Sequence, residues 1–213
     1  MRRLSSLAVF LLCLPACASL QVGSDVAAGR RALLAGNNET ALAYFQSAAQ
    51  RDPNYKYGTA YPQSVLSYVG RTEYATGRLP QAQKTLEKAL STNQAEDLTR
   101  LYLGLTLARS GDQQRGLKEI EGGLRGVHDW LEYVAEAHRF SFGQYWDPTR
   151  EIRSAIEGDL ATIAGREFDL KQLIASSESI AQKMEEETDR ARQAETRERS
   201  RESEGSPDSP GAN

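Results

Sequence analysis

Apolar residues recur three and four positions apart over much of this chain, which is the spacing of an amphipathic helix. A clear stripe of this kind consists of Ile152, Ile156, Leu160 and Ile163. It follows Asp147-Pro148, a pair typical of a helix N-cap with proline at the first helical position. The pattern predicts an all-α fold.

Glycines divide the body of the chain into similar two-helix units. Gly70 and Gly104 are 34 residues apart, and Gly77 and Gly111 have the same separation. Each copy reads as a first helix, a glycine-bearing turn and a second helix. Because one such unit cannot bury its apolar face alone, several units must stack. The predicted units span residues 22–55, 63–96 and 97–130.

These units resemble the tetratricopeptide repeat, a helix–turn–helix unit of the same length. The resemblance implies a solenoid of helical hairpins, with small residues where helices approach and a large apolar residue between them. In the third copy Gly116 and Gly123 stand where alanine is expected, so its second helix should be weak. The matching positions are Gly29, Gly36, Ala41, Phe45, Ala48 and Pro53, then Gly70, Gly77, Ala82, Leu86 and Ala89, then Gly104 and Gly111.

The resemblance also implies a concave groove lined by the first helix of each unit. Carried over to this chain, the groove is partly apolar with arginines at intervals. That composition suits a peptide with acidic or carboxylate groups. The alternative is that the arginines lie across neighbouring helices and contact only water. The candidate groove residues are Arg30, Leu33, Arg71, Tyr74, Leu101, Leu105 and Arg109.

Residues 1–16 are predicted to be a signal peptide, because two arginines precede an apolar stretch that is too short to span a bilayer. The stretch ends in Leu14-Pro15-Ala16-Cys17, which resembles the lipobox of bacterial lipoproteins. The resemblance implies that Cys17 is acylated and that a short linker, 17–21, follows the lipid. Ala18 after the cysteine favours the periplasmic side of the outer membrane over the inner membrane. The alternative is an ordinary secretory signal cleaved beside Cys17.

The remaining segments are predicted to lie between the first two repeats or after the third. Residues 56–62 are expected to form a longer turn, or alternatively a contact loop, and residues 131–165 a degenerate unit or a capping helix pair. Residues 167–200 are expected to form a long charged helix, either solvated or used for homo-oligomerisation, and residues 201–213 a disordered tail. The apolar seam of the long helix is Leu170, Leu173, Ser177, Ile180 and Met184.

Groups that carry chemistry are sparse. Cys13 and Cys17 are the only cysteines, and they provide neither a disulfide framework nor a zinc site. His128 and His138 are not at a metal-ligand spacing. A net charge of −3 without a clustered basic face excludes a nucleic-acid partner. We therefore expect no catalytic residues, no cofactor and no metal.

These observations predict a membrane-anchored interaction scaffold or assembly factor of the cell envelope, whose partner is a protein or peptide. Two alternatives stay open. One is a structural lipoprotein that oligomerises through residues 167–200. The other is an accessory subunit of an envelope enzyme or transport complex.

Overall fold

The computed structural model describes residues 14–165 and 168–204, and these residues are mostly helical, which confirms the predicted all-α class. They form two compact units, one that ends at Gly123 and one that begins at Leu124. Within the described residues, no helix has the length and apolar character needed to cross a membrane. The helices are α1 (Leu14–Leu34), α2 (Asn38–Arg51), α3 (Val65–Ala75), α4 (Leu79–Thr92), α5 (Asp97–Arg109), α6 (Gln113–Ala137), α7 (Glu151–Ala164) and α8 (Leu170–Glu204).

The first unit contains three helical hairpins, built by α1 with α2, α3 with α4, and α5 with the first part of α6. Each hairpin has the same close approach, between a glycine of its first helix and the residue sixteen positions later. A Cβ on any of these glycines would lie within 2.4 to 2.6 Å of an atom of the second helix, so only glycine permits the approach. The pairs are Gly29 with Phe45, Gly70 with Leu86, and Gly104 with Ile120.

The three turns between the paired helices are also equivalent. Gly36, Gly77 and Gly111 have positive φ angles of 76°, 76° and 101°, a conformation that glycine adopts without strain. In each turn, the amide of the following residue donates to the carbonyl five residues earlier, at 2.8 to 3.0 Å. This is the hydrogen bond of a Schellman C-cap, which ends a helix and reverses the chain.

The second helix of the third hairpin, predicted to be weak, is continuous in the structure. Helix α6 contains Gly116 and Gly123 and runs unbroken for 25 residues, through the predicted boundary at residue 131. A Cβ on Gly116 or Gly123 would lie 2.6 Å from the backbone of Ala108 or 2.5 Å from that of Leu101. The two glycines therefore replace alanine because α5 and α6 approach each other more closely than an alanine would allow.

The insert between the first two hairpins is a small β-ribbon rather than the longer turn that we predicted. Strand β1 (Lys56–Tyr57) pairs antiparallel with β2 (Gln63–Ser64), with Lys56 opposite Ser64 and Tyr57 opposite Gln63. Gly58, with a φ of 102°, begins the turn. The ribbon leads directly into α3, whose first turn is capped by the Ser64 side chain.

The second unit contains the end of α6, a short 3₁₀ helix (Phe142–Tyr145), α7 and α8. Helix α7 begins at Glu151, later than Asp147-Pro148 predicted. Arg150, with a left-handed φ of 57°, is the N-cap residue, while the Asp147 carboxylate, three residues earlier, still accepts from two amides of the first turn. Of the predicted stripe, Ile152 and Ile156 are buried.

Helix α8 buries four of the five predicted seam residues, with Leu170 half-buried, and continues to bury residues beyond them. Leu173, Ser177, Ile180 and Met184 are each at most 2% exposed. The charged stretch that follows is not a solvated face, because Glu187 and Glu195 are also buried. Of the tail predicted to be disordered, 201–213, residues 201–204 instead continue α8, and residues 205–213 lie outside the described residues.

The predicted signal peptide falls almost wholly outside the described residues, which begin at Leu14. The predicted linker, 17–21, belongs to the first turns of α1. The side chain of Cys17 lies outside the described part of the chain.

Candidate functional site

Two of the predicted groove arginines stack on tyrosine rings inside the array. Arg30 donates from Nη1 to the Tyr68 hydroxyl at 3.0 Å, and its guanidinium carbon lies 5.4 Å from the centre of that ring. The guanidinium carbon of Arg71 lies 4.4 Å from the Tyr68 ring centre and 5.7 Å from that of Tyr102. Such cation–π contacts strengthen when water is excluded. We call these four residues the arginine–tyrosine stack.

The stack changes the interpretation of the predicted groove. Arg30 and Arg71 are only 1% and 2% exposed, so neither offers its charge to a ligand in solvent. Arg109 is exposed and covers the Tyr74 ring at 5.0 Å. Sequence reasoning did not include Tyr68, the aromatic ring against which both guanidinium groups lie. Among the other groove residues, Tyr74, Leu101 and Leu105 are buried and Leu33 is half-buried.

A buried carboxylate links the second and third hairpins. Glu96 is 2% exposed and lies at the start of α5. It accepts from the Ser64 hydroxyl at 2.9 Å, the Thr99 hydroxyl at 3.0 Å and the Asn93 side-chain amide at 3.2 Å. With three donors, the desolvated carboxylate is satisfied. Glu96 is therefore a structural group.

A second buried carboxylate, Glu73, faces an open pocket between α2, α3 and α4. The pocket has a volume of about 530 Å³. Glu73 is 7% exposed, and its Oε2 atom has no hydrogen-bond partner among the described residues. Burial raises the pKa of Glu73, while a hydrogen bond from Thr85 and the charge of Arg78 oppose the rise. We call this cavity the Glu73 pocket.

The Glu73 pocket combines an apolar wall with a polar rim. Leu66 and the buried Val69 contribute the apolar part from α3. Exposed Lys84 and Lys88 of α4 contribute positive charge, and Gln46 of α2 contributes an amide. A pocket of this size with few polar groups is typical of a binding site.

A pocket on the first hairpin provides a comparison. It has a volume of about 580 Å³ and is lined in part by Asp25. Asp25 accepts from the Gln21 amide at 2.9 Å, from the Ser47 hydroxyl at 3.0 Å and from Arg51. Both oxygens of its carboxylate thus have partners within the hairpin, whereas the Oε2 atom of Glu73 has none among the described residues.

In the second unit, an ion pair holds the segment before α7. Arg153 donates from Nε to Asp147 Oδ2 at 3.0 Å and from Nη2 to the Asp147 carbonyl at 2.8 Å. Glu187 of α8 accepts from the Asp147 amide at 2.6 Å. Asp147 and Arg153 are at most 5% exposed. Burial raises the pKa of Glu187, although the Asp147 amide and Arg190 oppose the rise.

The only group of potential metal ligands among the described residues consists of His128, Glu132 and Glu157, with one ligand atom from each within 4.8 Å of the others. Helices α6 and α7 bring these residues together, which their sequence spacing does not suggest. Arg150 Nη2 lies 2.7 Å from Glu132 Oε1 and 3.3 Å from Glu157 Oε1. The Arg150 guanidinium lowers the pKa of Glu132. An arginine thus supplies the positive charge that a metal would bring. The second histidine, His138, stacks on Phe142.

Sequence reasoning overlooked Glu73, although the repeat register contains a signal for it. Glu73 lies three residues after Gly70, and the corresponding residues after Gly29 and Gly104 are Ala32 and Leu107. A carboxylate at a position that is otherwise apolar is a local conflict with the fold. Such conflicts concentrate at functional sites.

Comparisons of the chain with models of known protein families, with curated proteins and with solved structures give no match.

Proposed function

We propose that this protein is a tetratricopeptide-type scaffold that binds other proteins in the cell envelope and catalyses no reaction. The observation that supports this proposal is the equivalence of the three hairpins, which share one glycine contact and one turn. Stacked hairpins of this kind expose an extended surface built from rigid elements, and such surfaces serve recognition. The fold alone does not fix a function, so the proposal depends on experiment.

The use of buried polar groups agrees with a scaffold. Arg30 joins the first two hairpins by stacking on Tyr68, Arg71 joins the second and third by stacking on Tyr102, and Glu96 joins the second and third by hydrogen bonds. In the second unit, Asp147 and Arg153 order a loop. Each of these groups has a packing role, and a catalytic role would require them to face a substrate.

Photo-crosslinking in intact cells tests the scaffold. A photoreactive amino acid replaces the exposed Gln81, at the edge of the Glu73 pocket, or the exposed Glu136, in the second unit. The proposal predicts a discrete protein adduct from position 81 and none from position 136. Adducts from position 136 alone, or from neither position, would contradict a partner-binding role for the array.

Membrane attachment is the second part of the proposal. It depends on the lipobox resemblance around Cys17 and places the protein on the periplasmic side of the outer membrane. Cys17→Ser should abolish the mass of the acyl chains and release the protein from the membrane fraction. The matched control, Cys13→Ser, changes the other cysteine and should alter neither property. An acylated Cys17→Ser protein would refute the anchor.

The alternative of oligomerisation through α8 is less well supported. Its seam residues Leu173, Ile180 and Met184 are at most 2% exposed within a single chain, which leaves them unavailable to a second copy. Size measurement of the full chain in detergent should therefore give one copy per micelle.

A further inference from the structure

We infer that the Glu73 pocket is the docking site for an acidic segment of a partner protein, in which two carboxylates flank an apolar side chain. The inference rests on the proposed scaffold function and specifies the chemistry of one contact. It assigns to this pocket the acidic partner that the sequence predicted for the groove arginines, two of which are buried.

The first argument concerns the charge that the pocket presents to solvent. Lys84 and Lys88 of α4 are exposed in its lining, and neither has an ion-pair or hydrogen-bond partner among the described residues. Glu73 is the only acid in the lining, and it is buried, with the positive charge of Arg78 acting on it. A ligand in this pocket therefore meets two exposed positive charges and no exposed negative charge, which favours an anionic ligand.

The second argument concerns the spacing of the two lysines. Lys84 and Lys88 are four residues apart, so their side chains are neighbours on one face of α4, where like charges repel each other and destabilise the helix. Counted from the hairpin glycine, the equivalent residues of the first hairpin are Ala43 and Ser47. The hairpin architecture thus does not require lysine at these positions. Carboxylates placed beside the two ammonium groups would offset the repulsion, and local conflicts of this kind concentrate at functional sites.

The third argument is the contrast with the pocket on the first hairpin, which has a similar volume of about 580 Å³. There the basic residue of the lining, Arg51, forms an ion pair with Asp25, and the acidic Glu39 forms one with Arg78. The charges of that pocket are neutralised within the array. The lysines of the Glu73 pocket are not, so their charges remain available to a second molecule.

The shape of the pocket specifies the rest of the ligand. Leu66 and Val69 of α3 form an apolar part of the wall, against which an apolar side chain can pack. On the opposite side, Gln46 and Gln50 of α2 are exposed amides without hydrogen-bond partners among the described residues. A side-chain amide can both donate to and accept from a peptide backbone. These features together favour a peptide segment over a small anion such as phosphate.

A defined peptide tests the inference. Fluorescein-Gly-Ser-Glu-Leu-Glu-Ser-Gly-amide is titrated into the full chain in detergent, and fluorescence anisotropy is measured. The comparison peptide carries the same label and has glutamine in place of both glutamates, which keeps the size and removes the charge. The variants are Lys84→Ala and Lys88→Ser, alone and together, which copy the first hairpin. The control, Lys118→Ala, removes an exposed lysine from the position of the third hairpin that is equivalent to Lys84. Circular dichroism verifies that each variant is folded.

Loss of one lysine should weaken binding of the glutamate peptide about threefold, and loss of both about tenfold. The glutamine peptide should bind about tenfold more weakly than the glutamate peptide, and added salt should reduce that difference. The Lys118→Ala protein should bind as the unchanged protein does. Equal affinity of the two peptides, unchanged affinity in the double variant, an equal loss in Lys118→Ala, or no binding of the glutamate peptide would each overturn the inference.

The scaffold proposal is judged separately, by the crosslink at position 81. An undiminished adduct in the variant that lacks both lysines would support a scaffold while refuting this contact. Loss of the adduct in that variant, together with weaker binding of the glutamate peptide, would support both.

Discussion

The two units of this protein hold their helices together in different ways. In the array that ends at Gly123, the hairpins close over glycines, and the same steric contact recurs three times. In the unit that begins at Leu124, a buried ion pair between Asp147 and Arg153 fixes a loop of irregular conformation. A repeated steric contact leaves a period in the sequence, whereas a single ion pair leaves none. The difference predicts which substitutions each unit tolerates.

The largest expected effect is in the second unit. Asp147→Ala removes the carboxylate closest to the buried Arg153 guanidinium, leaves it only Glu132 at 3.5 Å, and leaves two amides of α7 without their acceptor. Removal of one partner of a buried pair destabilises a protein by about 3 to 5 kcal/mol. Because the only two tryptophans, Trp130 and Trp146, lie in this unit, denaturant unfolding followed by tryptophan fluorescence measures the loss.

The control for this loss is Asp129→Ala, which removes a carboxylate that is 82% exposed on α6. Its effect should stay below about 0.5 kcal/mol. If both alanine variants unfold at the same denaturant concentration, the ion pair does not hold the second unit.

The next largest effect is expected when a glycine of the array is replaced by alanine, and a glycine of the second unit provides the comparison. In Gly104→Ala, the new methyl group would lie 2.4 Å from the Ile120 amide nitrogen, and backbone atoms cannot rotate away. We expect a loss of about 3 kcal/mol. In Gly158→Ala, on α7, the methyl group meets nothing within 4 Å. A helical alanine should there add about 0.5 to 1 kcal/mol. Denaturant unfolding followed by circular dichroism measures both changes in the free energy of unfolding. If both substitutions change it in the same direction, Gly104 does not have the proposed steric role.

The same contrast explains what the sequence could predict. Gly29, Gly70 and Gly104 each face a close contact with the second helix of their hairpin, so their recurrence in the sequence indicated the hairpins. The arginines of the predicted groove illustrate the limit. Position in the repeat suggested an exposed lining for Arg30 and Arg71, but two tyrosine rings provide an environment in which both guanidinium groups are buried.

The second unit shows a different limit. Asp147-Pro148 indicated a cap, and Asp147 does accept from helix amides, but α7 begins only at Glu151, after a segment in which both Asp147 and Arg150 have a left-handed backbone conformation. That conformation depends on contacts with Arg153 and with Glu187, which lies forty residues away in the sequence. A local pattern contains no information about such a partner. For the same reason, the cluster of His128 with two glutamates could not be inferred from spacing.

Glu73 differs from the other buried carboxylates of the array, Asp25 and Glu96, because its Oε2 atom has no hydrogen-bond partner among the described residues. Glu73→Leu should stabilise the protein by about 1 to 2 kcal/mol at neutral pH, since it removes a desolvated carboxylate with an unfilled acceptor. Thermal or denaturant unfolding measures the gain. A loss of stability would show instead that the fold needs the carboxylate.

The pH dependence of that gain has a definite sign. The folded-state pKa of Glu73 is raised above the unfolded value of 4.5. At a pH below the unfolded-state pKa, the Glu73 carboxyl is neutral in both the folded and the unfolded protein, so burial of its charge does not lower the free energy of unfolding. As pH rises from there through the folded-state pKa, the unchanged protein loses stability. The stability advantage of Glu73→Leu should therefore be smallest in acid and grow with pH, and a constant advantage would exclude the burial of a charge as its cause.

The smallest effect should come from an ion pair on the surface of the same unit. Arg115 Nη2 lies 2.7 Å from Glu87 Oε1, and the two side chains are 47% and 39% exposed. The hydrogen bond from Arg115 lowers the pKa of Glu87, so its contribution is present above the unfolded value of 4.5 and is lost as pH falls through the folded-state pKa. The pH dependence of this contribution is therefore opposite to that of Glu73, which lowers stability as pH rises. A double-mutant cycle with Glu87→Gln and Arg115→Met should give a coupling below about 0.5 kcal/mol that disappears at high salt. A coupling of several kcal/mol would mean that ion pairs also hold the array, which would remove the contrast between the two units.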